Sequence, residues 1–155
     1  EGDQPEVYRT GCAGRLVSFS ETEDGRYLIT LNGLIRFDIA EELPLQDGYR
    51  TVLPDWEPYR DDLAEDEGVG IDRDRMLNSL KTYFAAKNVD ANWEAIQEKP
   101  TDRLVNALAM MCPFQPSEKQ ALLEAATLAD RADVMVALME MALAANDDAP
   151  PRHKN

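Results

Sequence analysis

The stretch "DGRYLITLNGLIRFDI", Asp24–Ile39, decides the fold of the first half of the chain. Because successive side chains of a strand point to opposite faces of a sheet, alternating apolar and polar residues indicate a strand with one buried face. Gly33 interrupts the alternation and predicts a bulge or a bend. The face predicted to be buried carries Tyr27, Ile29, Leu31, Ile35, Phe37 and Ile39.

Two leucines, Leu28 and Leu34, interrupt the polar face of this strand. They lie about 20 Å apart along it, so each needs its own cover. A bulge after Gly33 would turn Leu34 toward the core. We expect Leu28 to be covered by strands that precede this chain, by another chain, or by a polypeptide laid along the sheet.

Two shorter strands are predicted beside the long one. Arg15–Ser20 precedes it, and Asp24–Gly25 forms the tight turn between them. Tyr49–Leu53 follows after the turn "LPLQDGYR", and Pro54 is expected to end that strand because proline has no N–H to donate.

Residues 55–70 are predicted to form an acidic, exposed connecting loop. Trp56 and Tyr59 lie in it, surrounded by charge, and aromatic residues are enriched at the centres of binding surfaces. The alternative is that both rings fold back over the sheet, since large aromatic residues usually end up mostly buried.

Residues 71–145 predict a bundle of four to five helices, and residues 146–155 predict a disordered tail. The third helix is expected to bury Leu104, Val105, Leu108 and Met111. The expected helix-start signals are Asp72 (with Ile71 and Met76 as a hydrophobic staple), Asp90, Thr101, Ser117 with Gln120, and Thr127 with Asp130.

The charge of the chain narrows the class of partner. The formal net charge of −14 disfavours nucleic acid and anionic membranes. No apolar run approaches the roughly 20 residues of a membrane helix, and two cysteines give no spacing motif, so a cytoplasmic location is predicted. The absence of an initiating methionine suggests that the chain begins inside a longer product.

The sequence predicts no catalytic residue, no metal and no cofactor. The only histidine, His153, lies in the predicted tail, and neither a GxSxG elbow nor a phosphate loop occurs. Cys12 and Cys112 cannot supply a zinc site, and buried thiols are favoured over a redox pair. One acidic run lacks EF-hand spacing and is interpreted as a solvated loop: Asp61, Asp62, Glu65, Asp66 and Glu67.

Five methionines leave two interpretations open. They could form an adaptable binding groove, but at helical spacing core filling is favoured. The residues are Met110, Met111, Met135, Met139 and Met141.

Three stretches together resemble the amino-terminal, substrate-binding domain of the Lon protease family. Tyr8–Ile39 matches a glycine-led strand, then "DGRY", then a strand ending in "G" and "RF"; Tyr49–Leu63 and the helical Pro113–Leu143 follow in the family's order. The chain looks most like short stand-alone bacterial members of the family.

This resemblance implies an α+β fold, in which a partly open, PUA-like β-barrel portion precedes a helical bundle. The family's strands and helix before Tyr8 are absent, so the barrel is expected to be incomplete at its amino terminus. The expected organisation is a β-rich part over 8–54, the loop over 55–70, the bundle over 71–145 and the tail over 146–155.

The resemblance also implies a function. Lon unfolds proteins with an ATPase module and cleaves them with a Ser-Lys module, and this chain matches neither, so no enzyme activity is expected. The prediction is a non-catalytic module that recognises proteins or unfolded polypeptides through Leu28, Leu34, Trp56 and Tyr59; a homo-oligomer or pairing with the missing amino-terminal segment is also considered. The alternatives are a small-molecule domain with a pocket between barrel and helices, and an enzyme of unrecognised type. Arg36 could bind an acidic group of a partner, but in so acidic a chain an internal ion pair is favoured.

Overall fold

The computed structural model describes residues 5–64 and 69–147. The chain divides into two compact units, 1–65 and 66–155. The first contains the strands and the second the α-helices, so the fold class is α+β as predicted. We call them the strand unit and the helical unit and describe each by itself.

The strand unit is an open antiparallel sheet of three strands in the order β1-β2-β3. Asp47 and Gly48 both have positive φ (51° and 85°), as a two-residue hairpin turn requires, so the turn before the third strand is tighter than predicted. Pro54 does not end that strand, because it pairs with Ile39 from an edge position, where a missing N–H is tolerated. The strands are β1 (Thr10–Glu21), β2 (Tyr27–Gln46) and β3 (Tyr49–Asp55).

A 3₁₀ helix, Glu57–Leu63, follows β3 and packs against β2. It occupies much of the stretch predicted to be a connecting loop, so that stretch is more ordered than the prediction had it. Glu65, Asp66 and Glu67 of the acidic run lie outside the described residues.

The helical unit contains five described α-helices, and the last of them contacts the first, third and fourth. None of the described helices is long and apolar enough to cross a membrane. The helices are α1 (Arg73–Lys87), α2 (Trp93–Glu98), α3 (Thr101–Met111), α4 (Pro116–Glu124) and α5 (Leu128–Asp147). Because α5 runs to Asp147, it enters the predicted tail by two residues; the rest of that tail, with His153, lies outside the described part of the chain.

Two of the predicted helix starts are confirmed. The Asp72 carboxylate accepts a hydrogen bond from the Arg75 N–H at 3.0 Å and caps α1. Before α5, the Thr127 hydroxyl oxygen accepts from the Asp130 N–H at 3.0 Å while the Asp130 carboxylate accepts from the Thr127 N–H at 3.1 Å.

The other three predicted helix starts are wrong by one or two residues. Asn92, not Asp90, caps α2 by accepting from the Ala95 N–H. Pro100 is the cap position of α3, so Thr101 is already helical. Before α4, Glu118 accepts from the Gln115 N–H at 2.7 Å, two residues ahead of the predicted Ser117–Gln120 pair.

The core of the helical unit is built from the apolar stripes of its helices, and Leu104, Val105 and Leu108 are buried as predicted. The prediction that Met111 is buried is wrong, because Met111 is the last residue of α3 and its side chain is 78% exposed. Met110 and Met141 are exposed as well, so the core-filling interpretation is confirmed only for Met135 and Met139. The largest fully buried side chains include Tyr83, Met76, Leu80, Leu104, Leu122, Met135 and Met139.

The prediction of two buried thiols is half right. Cys112 is buried at the end of α3, whereas Cys12 is exposed on the sheet, and both are free thiols. Cys12 lies beside Gly33, which has no side chain to cover the sulfur.

We expect the helical unit to lose stability above about pH 9, because burial raises the pKa of the Cys112 thiol from 9.0 to about 11. The unfolded chain then releases its thiol proton before the folded chain does. The stabilisation is complete below pH 9 and falls by roughly 2 kcal/mol as the pH rises to about 11. Burial also raises the pKa of Tyr83, in the same direction.

Urea unfolding followed by helical circular dichroism, between pH 7 and 10.5, measures this effect. Cys112→Ala should flatten the pH dependence, whereas Cys12→Ala, at the exposed thiol, should leave it unchanged. Equal slopes for the two variants would contradict the assignment.

Candidate interaction surface on the strand unit

Half of the β1–β2 hairpin extends beyond β3. The pairing of β2 with β3 begins at Asp38, whereas the pairing of β2 with β1 runs from Asp38 back to Tyr27. We call Gly14–Glu21 with Tyr27–Gly33 the arm. Within the described residues its two segments pair only with each other, so the arm is a two-stranded ribbon.

One face of the arm is apolar and exposed. Phe19 and Tyr27 stack there with ring centroids 5.0 Å apart. The prediction that this face is buried is wrong for Tyr27, Ile29 and Leu31, because the pairing of β2 with β3 begins only at Asp38. The apolar face of the arm is defined by five side chains that are between 51% and 60% exposed: Leu16, Phe19, Tyr27, Ile29 and Leu31.

Leu28 points to the opposite face of the arm, where its cross-strand partner is Ser20. It is 64% exposed, and no described residue covers it. The predicted bulge is confirmed: Gly33 pairs with Gly14, Ile35 with Ala13, and Leu34 is the extra residue between them. The bulge does not bring Leu34 into a core, because its side chain stays 46% exposed.

The extra residue at Leu34 shifts the alternation of β2 by one. Beyond the bulge, Arg36 and Asp38 lie on the side that carries Ile29, while Phe37 lies on the side that carries Leu28. A Cβ on Gly33 would stand 3.4 Å from the Sγ of Cys12, so Gly33 and Cys12 lie on one face of the sheet. Cys12 is the cross-strand partner of Arg36, which therefore lies on that face as well. The same side of the sheet is therefore apolar before the bulge, where it carries Ile29 and Leu31, and polar after it, where it carries Arg36 and Asp38.

Arg36 is the buried cation of this polar region, with 6% of its surface exposed. The Asp62 carboxylate accepts from its Nη2 at 2.6 Å, its Nε at 2.9 Å and its backbone N–H at 3.0 Å. These bonds hold the pKa of Arg36 above its ordinary value against the opposing effect of burial. The predicted internal ion pair is confirmed, and the prediction of a solvated Asp62 is wrong.

Tyr59 packs beside this pair, with its ring centroid 4.6 Å from the Arg36 Cζ. Its hydroxyl donates to the Asp38 carboxylate at 3.1 Å, and Thr10 donates to the same oxygen at 2.7 Å. Trp56 packs edge-on against Phe37 at 5.3 Å and remains 39% exposed. Both predicted aromatic residues thus contact the sheet, as the alternative interpretation had it.

The four predicted contact residues do not form one cluster. Trp56 packs on Phe37, nine residues along β2 from Leu28, a separation of about 30 Å in an extended strand. Sequence reasoning also missed the apolar face as an exposed surface. The available signal was strand length, because a predicted five-residue strand cannot cover sixteen residues of its neighbour.

Comparison with known proteins gives one family. The ATP-dependent protease La (LON) substrate-binding domain matches residues 1–141 of the chain. No curated protein matches it. In the described ranges, no group of three or more His, Cys, Asp and Glu side chains is placed to hold a metal ion.

Proposed function

We propose that this chain, which belongs to the family of LON substrate-binding domains, is a non-catalytic module that recognises proteins or unfolded polypeptides. The observation that carries the proposal is the apolar face of the arm: five large apolar side chains, all more than half exposed, on one ribbon. Contiguous apolar surface of this kind is typical of protein–protein contact.

The predicted contact residues fit this role unequally. Leu28 and Leu34 are exposed and have no described cover, so they remain candidates. Trp56 offers a partly exposed ring that packs on Phe37, away from Leu28. Tyr59 is engaged by Arg36 and Asp38 and would act by holding the 3₁₀ helix in place.

The finer architecture is part of the proposal. We infer a partly open, PUA-like barrel portion over 8–54, joined through 55–70 to a bundle over 71–145. The open three-stranded sheet and the five described helices support this. The net charge of −14 supports a protein partner rather than nucleic acid or an anionic membrane, and a cytoplasmic location is retained.

Binding to a permanently unfolded protein tests the proposal. Reduced lysozyme, a basic protein whose thiols are capped with neutral carbamidomethyl groups and which carries a fluorophore, should bind at micromolar concentration, and its folded, disulfide-bonded form should not. Equal binding of both forms, or of neither, would overturn polypeptide recognition. A thermal shift by a small metabolite in the absence of any peptide binding would favour the small-molecule alternative instead.

We expect the purified chain to show neither peptide cleavage nor ATP hydrolysis, because its sequence contains no GxxxxGK[ST] phosphate loop and no serine in a context that matches the protease module. Incubation with unfolded casein, with and without ATP, measures both. Casein cleavage or phosphate release that persists through purification to homogeneity would refute the non-catalytic assignment.

A further inference from the structure

We propose that an extended polypeptide segment adds to the open edge of β2 along the arm as a further strand. Its residues at every second position are apolar and meet the apolar face of the arm, and basic residues flank them. This inference rests on the proposed function and specifies the chemistry of the bound segment.

The edge of β2 supports strand addition. From Asp38 to Gln46, this edge pairs with β3, so it already accepts a strand there. From Tyr27 to Ile35, no described strand occupies the same edge. An open edge presents alternating N–H and C=O groups, and an extended chain matches both donors and acceptors at that spacing.

The 3₁₀ helix sets the end of the open edge. The Asp62 carboxylate accepts the Arg36 N–H at 3.0 Å, in the position that a carbonyl of a neighbouring strand would otherwise take. An added strand therefore stops at Ile35. The edge from Tyr27 to Ile35 holds about nine residues, or roughly 30 Å of extended chain.

The apolar face of the arm sets the side-chain pattern of the segment. Tyr27, Ile29 and Leu31 recur at every second position, so an added strand places its own alternate residues beside them. Side chains there gain contact with Tyr27, whose ring stacks on that of Phe19.

The net charge of the chain favours a segment of another protein over a second copy as the strand added at this edge. Each copy carries a net charge of −14, so two copies repel each other, whereas a segment with flanking lysines or arginines is attracted. The occupant we infer is therefore a basic, alternating apolar segment of another protein.

Peptides with blocked backbone groups test strand addition. The probe is a fluorescent nonapeptide, KLTLTLTLK, compared with two forms that are N-methylated at its odd or at its even interior positions. Only one set of N–H groups points to β2 in an added strand. We expect one methylated form to bind at least tenfold more weakly and the other to bind like the parent.

Variants of the chain test the location. Ile29→Lys should weaken binding of the parent peptide at least tenfold. Leu45→Lys is the matched control, because Leu45 is exposed on the same strand where β3 occupies the edge. It should leave binding unchanged.

The outcomes separate this inference from the proposed function. If unfolded lysozyme binds but both methylated peptides bind like the parent, or if Ile29→Lys has no effect, strand addition is overturned and polypeptide recognition stands. If unfolded lysozyme does not bind, the proposed function fails. A dimer in sedimentation equilibrium that Ile29→Lys dissociates would assign the face to a second copy and overturn the inference.

Discussion

Replacing Leu108 by aspartate is expected to unfold the helical unit. Leu108 is 4% exposed and belongs to the core cluster that α3 shares with the other helices. The substitution removes a buried aliphatic side chain and leaves an unpaired carboxylate in its place. The two costs together amount to at least about 4 kcal/mol, a large part of the stability of a small domain.

The matched control for this prediction is Met110→Asp, two residues along the same helix. It introduces the same charge at a side chain that is 72% exposed. We expect it to cost about 1 kcal/mol or less, mainly because a negative charge is unfavourable at a helix C-terminus. Thermal melts followed by circular dichroism at 222 nm compare the two, and equal melting temperatures would place Leu108 outside the core.

The helices show what local sequence can predict. Asp72 was predicted correctly because a cap and a staple, Ile71 with Met76, agreed on one start. The predicted start at Ser117 was wrong because Pro116 is itself the first helical residue, a position that suits proline, so the cap is Gln115, two residues before Ser117. The starts marked by Asp90 or Thr101 alone were displaced, and so was the predicted Ser117–Gln120 pair, whereas the Thr127–Asp130 pair was placed correctly.

The strand unit shows what local sequence could not predict. Alternation in β2 correctly predicted which residues share a face on the arm, but burial depends on what lies opposite, which alternation does not encode. Gly33 correctly predicted the bulge. Because of the bulge, Arg36 lies on the same side of the sheet as the apolar face of the arm and needs a partner there. This consequence depends on the register with β1, which local sequence does not encode. Asp62 was misassigned because its partner is 26 residues away and its neighbours are all acidic or exposed.

The second large effect is expected from the ion pair between Arg36 and Asp62. Asp62→Ala should destabilise the strand unit by about 3–5 kcal/mol, because it leaves a guanidinium whose side chain is 8% exposed without its carboxylate. It also removes the acceptor of the Arg36 N–H. Asp62→Asn keeps an oxygen for that N–H and loses only the charge, so its cost should be smaller.

Urea unfolding in a Trp93→Phe background measures the effect, since the remaining tryptophan, Trp56, packs on Phe37 within the strand unit. Asp61→Ala is the control, because this neighbouring acid is exposed and should change stability by no more than about 0.5 kcal/mol. We expect the urea concentration at the unfolding midpoint to be highest for Asp61→Ala, intermediate for Asp62→Asn and lowest for Asp62→Ala. If Asp62→Ala and Asp61→Ala coincide, the carboxylate is a solvated acid after all, and the 3₁₀ helix cannot mark the end of the open edge of β2.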